Sequence, residues 1–297
     1  MRQERVFTID PASARDLDDA LSVKVNDDGT YDIGVHIADV SYFVKPNTAL
    51  DRDAKKRATS VYLVQRAVPM LPPTLSEELC SLHFGKDRLT FSVIFTMTKE
   101  GKVTKKWFGR TVIKSSAQLS YTNVQDVIDG KVLGGVPVVP EHDASAIEHD
   151  IKILHDIAKD LRERRFKNGA LSTETPKMAF ALDESGRPVD CDQSLPNDAN
   201  SLVQEVCCID RFIWVAKLTW VRSQFMLLTN IAVAEQVAVN FPEQALLRRH
   251  DTPIERRLVR DGPPVCRQCT DPLHRKDSRN ERKVSDTRLT SPLRVLS

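Results

Sequence analysis

The chain has 297 residues, 41% of them hydrophobic, and a formal net charge of +2, enough apolar sequence to bury the core of one large domain or two small ones. No apolar run reaches the roughly 18 residues of a spanning helix, and the N-terminal "MRQERVFTID" has no signal-peptide core, so neither membrane insertion nor secretion is expected. Six sparse, unevenly spaced cysteines argue against a disulfide framework and for reduced thiols, hence for the cytoplasm.

The first segment, "FTIDPASARDLDDALSV", places Asp10, Asp16, Asp18 and Asp19 close together inside a strand-like apolar pattern. Strands are predicted for "ALSVKV" and "YDIGVHIADV", with an Asp-Gly hairpin turn in "NDDGTY" between them. This puts the aspartates at the mouth of a sheet. A second strand pair, "LTFSVIFTMT" and "KVTKKWFGRTVIKS", is joined by "KEGK". From Glu141 to Phe166 the three- and four-residue spacing of Ile147, Ile151, Leu154, Ile157, Ala158 and Leu161 predicts a helix. "KMAFALDESGRPVDC" reads as a further hairpin, and "FMLLTNIAVAEQVAVNF" as an apolar helix ending before Pro242. The predicted class is α/β (α+β), a mixed, largely antiparallel sheet flanked by helices. After Leu258 the chain loses periodicity and holds nine Lys/Arg against five Asp/Glu, so residues 259–297 are expected to form a disordered basic tail.

Carboxylates this close raise one another's pKa unless a cation or hydrogen bonds compensate. Hard oxygen donors without His or Cys favour Mg²⁺, with Mn²⁺ as an alternative, and such sites are commonly completed by water and substrate phosphate. The chemistry this suggests is cleavage of a phosphodiester. Spacing alone leaves open a solvated acidic loop in which Asp16 or Asp18 closes an Asx turn. An EF-hand is excluded, because the central glycine and the glutamate at position twelve from Asp10 are missing. His36 and Asp39 in "HIADV" are expected to support the strand. "CRQCTDPLH" offers only Cys266, Cys269 and His274, too few ligands for a zinc finger.

Six stretches, "TIDPASARDLDDALS", "GVHIADVSYFV", "RATSVYL", "VPMLPPTLSEELCSL", "LTFSVIFTMTKEGKV" and "ALLRRH", together resemble the catalytic domain of the RNB family, the ribonuclease II/R exoribonucleases. The resemblance covers most of residues 5–258 and is nearest to the family's eukaryotic cytoplasmic branch, which degrades single-stranded RNA and favours uridylated 3′ ends. It implies that Asp10, Asp16, Asp18 and Asp19 are the metal-site and catalytic aspartates. It further implies that Tyr62 in "SVYL" clamps the 3′-terminal nucleotide and that Tyr121 in "LSYTN" contacts substrate. Aromatic faces stack on any base, which suits an enzyme that holds single strands without reading sequence. The implied reaction is Mg²⁺-assisted hydrolysis from the 3′ end to nucleoside 5′-monophosphates, with Asp18 a candidate for orienting the attacking water.

The chain also departs from the family pattern. Val206–Gln224 separates "LVQE" from "FMLLTN", which are contiguous in the family, and reads as a foreign insert. Its ends, a Val whose codons begin GT and a Gln that CAG encodes, suggest an in-frame retained intron, an origin that cDNA lacking the insert would support. Phe212, Trp214 and Trp220 could form an interaction helix or stacking platform, but Asp210, Arg211, Lys217 and Arg222 interrupt any apolar face. The insert is expected to disturb packing behind the site. After "IERRL" the resemblance implies that the domain should continue for about as much sequence again, through the family's catalytic arginine, a later glutamate and part of the RNA channel. The expected arrangement is therefore a partial RNB domain over 1–258, interrupted at 206–224. Two activities are compatible with it: an exoribonuclease, or a catalytically impaired fragment with residual metal or RNA binding. A metal-dependent phosphatase or DNA nuclease would need a motif that the sequence lacks.

Overall fold

Asp28 and Gly29 close the first hairpin in the computed structural model, which describes residues 1–12, 14–63, 66–168, 177–183, 187–194 and 216–245. Gly29 adopts φ +77°, a conformation that side chains disfavour, while Asp28 Oδ1 accepts the Thr30 N–H at 2.9 Å. The strands on either side are β2, Asp19–Val25, and β3, Tyr31–Ala38. They follow β1, Val6–Asp10, and are joined by β6, Asp87–Met97, and the 18-residue β7, Val103–Ser120. Two short strands intervene: β4, Val61–Tyr62, and β5, Ala67–Val68.

These five longer strands form a closed barrel in the order β1-β2-β3-β6-β7. All neighbours are antiparallel except β1 and β7, whose parallel pairing runs to Asp10↔Ser120 and closes the ring. The length of β7 makes this possible, since its first part pairs with β6 and its last part with β1.

Alternate strand positions separate two cores. Leu21, Val23, Ile33, Val35, Val93, Phe95 and Met97 pack with the helices α3, Tyr121–Ile128, α4, Ala144–Lys167, and α5, Ala216–Asn240. The predicted α4 positions Ile147, Ile151, Leu154, Ile157 and Ala158 are all buried there. A smaller cluster gathers Val6, Leu17, Ala20, Ala38, Cys80, Leu82 and Ile113. Beside it runs a buried polar row, in which His36 bonds Ser22 through Nε2 at 2.9 Å and Ser92 through Nδ1 at 2.7 Å. His36 thus supports the strands, as expected.

Sequence reading missed α3, although Ser120 and Asn123 form a capping box that marks its start. It also missed α1, Val40–Phe43, α2, Ala49–Arg57, and a π-helical turn, Thr74–Leu79. The hairpin of β8, Lys177–Leu182, and β9, Pro188–Ser194, matches expectation. Helix α5 runs unbroken across the junction between Gln224 and Phe225, both of which are buried. The first part of the expected insert, the expected tail and the Cys266/Cys269/His274 group lie outside the described residues. No helix among the described residues is long and apolar enough to cross a membrane.

Candidate functional site

The aspartates occupy one end of the barrel. β1 and β2 pair only at Val6↔Ser22 and Phe7↔Leu21, and β1 then continues to Asp10 on β7 alone. Asp10 ends β1 and Asp19 begins β2, both nearly inaccessible, at 4% and 6% exposed. Asp16 and Asp18 lie exposed on the connecting loop.

Loop backbone would ordinarily stay in water, yet Leu17 is fully buried among Ala20, Ala38, Cys80 and Leu82. Ser81 makes this possible: its Oγ accepts the Leu17 N–H at 3.0 Å and donates to the Arg15 carbonyl at 2.8 Å. The Leu82 N–H donates to the Leu17 carbonyl, and the Ala38 N–H to that of Asp18, each at 2.9 Å. Asp18 is therefore exposed on a fixed backbone. Burial pushes the neighbouring Cys80 thiol up in pKa, and the charges of Asp18 and Asp39 add to the effect against the Arg88 guanidinium. Asp39 directly follows Ala38, whose N–H holds the Asp18 carbonyl, and so lies at the same barrel end.

The sequence led to the expectation that Asp39 supports the strand; it lies just past β3, at the N-cap of α1, and has a defined partner. It forms an ion pair with Arg110 at 3.0 Å and its Oδ1 accepts the Ser41 hydroxyl at 2.6 Å. Sequence spacing does not reveal Ser81 as a neighbour of the loop or Arg110 as a partner of Asp39, since both contacts arise only through folding.

Tyr121 follows Ser120, the residue opposite Asp10, so its backbone lies beside the aspartates while its side chain is 6% exposed in the core. Tyr62 pairs with Ala67 at the end of β4; its side chain lies outside the described residues. In the conformation shown, no three His, Cys, Asp or Glu among the described residues converge closely enough to hold a metal ion. The chemistry of the donor set nevertheless suits a hard divalent cation: it is all carboxylate, and Asp10 and Asp19 keep two of the four groups largely out of water.

The RNB domain family model matches residues 1–261, and the chain belongs to that family. The fold is accordingly that of an RNB-type domain. The chain is 47% identical over 274 residues to DIS3-like exonuclease 2 of Xenopus tropicalis, a match covering 90% of this chain and 30% of the relative. It is 44% identical over 264 residues to a protein of Arabidopsis thaliana named inactive exonuclease DIS3L2, covering 87% of this chain and 23% of that one. Among solved structures, Mycoplasma genitalium RNase R in complex with ribose-methylated single-stranded RNA superposes with a TM-score of 0.71 at 25% identity, over 87% of this chain and 36% of that one. The chain thus spans less than a third of the length of the curated relatives it matches first.

Proposed function

We propose that this chain carries the aspartate site of a cytoplasmic 3′-to-5′ exoribonuclease that hydrolyses single-stranded RNA, including uridylated 3′ ends, to nucleoside 5′-monophosphates with Mg²⁺ or Mn²⁺. The observation that carries the reading is the placement of Asp10 and Asp19 at neighbouring strand ends, with Asp16 and Asp18 on the loop between them, in a chain of the RNB domain family. The similarity to an RNase R solved with single-stranded RNA supports the substrate class.

Asp10, Asp16, Asp18 and Asp19 would hold the metal. A divalent cation so held supplies positive charge against the phosphate and a water of lowered pKa. The carboxylate of Asp18, exposed on a backbone fixed by Ala38, is suited to accept a proton from that water or to orient it. Tyr62 would stack on the terminal base, while Tyr121, whose side chain is buried in the core, would support the end of β7 beside Asp10.

A second reading, binding of metal or RNA without turnover, has its own support in the similarity to a relative named as an inactive exonuclease. Shortening of 5′-labelled single-stranded RNA with Mg²⁺, for this chain and Asp18→Asn, separates the two. Stepwise shortening with release of 5′-monophosphates, abolished by the substitution, supports the exonuclease. Retained RNA with metal-dependent binding supports the second reading.

A further inference from the structure

At the aspartate end of the barrel, Arg110 is held from one side and open on the other. Its Nε faces the Oδ2 of Asp39 at 3.0 Å, and its Nη2 donates to Ser41 Oγ at 2.9 Å. Ser41 Oγ in turn donates to Asp39 Oδ1 at 2.6 Å, closing a ring of three side chains. The Asp39 side chain is 6% exposed, whereas that of Arg110 is 62% exposed. A buried carboxylate thus fixes the orientation of a guanidinium whose remaining donors face solvent, the arrangement that suits recognition of an anion by Arg rather than Lys.

The surroundings narrow the anion. Phe91 is the direct cross-strand partner of Arg110 and remains exposed, as does Tyr42, one residue beyond Ser41. Lys45 sits 5.1 Å above the Tyr42 ring and adds a second cation. Two cations, Arg110 and Lys45, and two exposed aromatic rings, Phe91 and Tyr42, supply the groups that suit the phosphates and bases of a single strand. Asp39 directly follows Ala38, which holds the Asp18 carbonyl, so this surface adjoins the proposed metal site.

We propose that Arg110 binds a phosphate of single-stranded RNA, oriented for that contact by Asp39 and Ser41. The inference rests on the RNA reading above and adds to it a cation within this chain that steers the strand toward Asp18. Asp39 and Ser41 act through Arg110 and are positioning residues.

The test is fluorescence anisotropy of a labelled oligouridylate with the full chain in EDTA, where turnover does not intervene, across a series of salt concentrations. Arg110→Ala is expected to raise Kd about tenfold and to flatten the slope of log Kd against log salt by about 0.7, the share of one phosphate contact on a single strand. Arg110→Lys should keep the slope and lose part of the affinity. Ser41→Ala should raise Kd about threefold with the slope unchanged, since the charge remains while its orientation loosens. A purely structural role would not move the salt slope, and thermal unfolding of each variant checks the fold. If Arg110→Ala unfolds, the Arg110→Lys and Ser41→Ala results decide. Affinity equal to that of the unaltered chain in all the folded variants, with an equal slope, overturns the proposal while leaving RNA binding intact; failure of the unaltered chain to bind the oligouridylate overturns the RNA reading and this proposal with it.

Discussion

Ser81 and Leu17, 64 residues apart, meet at 3.0 Å where the Ser81 hydroxyl accepts the Leu17 N–H. The same hydroxyl donates to the Arg15 carbonyl, so one side chain fixes both sides of Asp16. Ser81→Ala should leave a buried N–H without its partner, at a cost of about 1–3 kcal/mol in chemical unfolding. Because the Asp16 and Asp18 backbones then loosen, the substitution should also weaken stabilisation by Mg²⁺, measured as the rise in unfolding temperature on titrating the ion.

The carboxylates themselves predict a related signature. Asp19 is nearly buried at the start of β2, where it stands beside the other three aspartates in sequence. Saturating Mg²⁺ should raise the unfolding temperature of the unaltered chain and leave that of Asp19→Asn where it was.

The row of Ser22, His36 and Ser92 predicts a pH dependence. Burial lowers the pKa of His36 from 6.5 to about 4, so the folded state holds the ring neutral where the unfolded chain would protonate it. The sign follows: this stabilisation is complete above pH 6.5 and is lost as pH falls from 6.5 toward 4. Urea unfolding should show stability lower by roughly 2 kcal/mol at pH 5 than at pH 8, and His36→Gln should remove that part of the difference.

Gly34 lies opposite Ser22 and beside His36. A methyl group there would meet Ser22 Oγ at less than contact distance and stand 2.7 Å from His36 Nε2, both held in hydrogen bonds. Gly34→Ala should therefore cost about 1–3 kcal/mol or more. Its midpoint in urea should fall while the slope of the transition stays the same.

Arg5 and Asp150 join the start of β1 to α4. Arg5 Nη2 donates to Asp150 Oδ1 at 2.8 Å, with Nε on the other oxygen, and the Asp150 side chain is fully buried. Burial pushes the Asp150 carboxyl up, and the Arg5 guanidinium opposes this. Arg5→Ala should cost about 3 kcal/mol by leaving that carboxylate without its cation, while the double variant Arg5→Met with Asp150→Leu should recover most of the loss in equilibrium unfolding.

Where the chain's own neighbours set the structure, the sequence was legible. Alternation marked β2, β3, β6 and β7, Asp-Gly marked the first hairpin, and the spacing of Ile147, Ile151 and Leu154 marked α4, because local sterics and one buried face decide each of these. The same local reading found Asp10, Asp16, Asp18 and Asp19, which lie within a few residues of one another. Short elements such as α1 and α2 escaped it: four and nine residues offer too little periodicity to stand out from turns.

Folding alone decided which aspartates would be buried and what would hold them. Nothing local distinguishes Asp10 from Asp16; the parallel closure of β1 on β7 buries the first, and the loop leaves the second in water. Ser81 reaches Leu17, and Arg110 reaches Asp39, across stretches of chain that carry no joint signal in spacing or composition. Such contacts depend on barrel closure, in which strands distant in sequence become neighbours. The identity of the charged residues was therefore written locally, while their burial and orientation depended on the whole sheet.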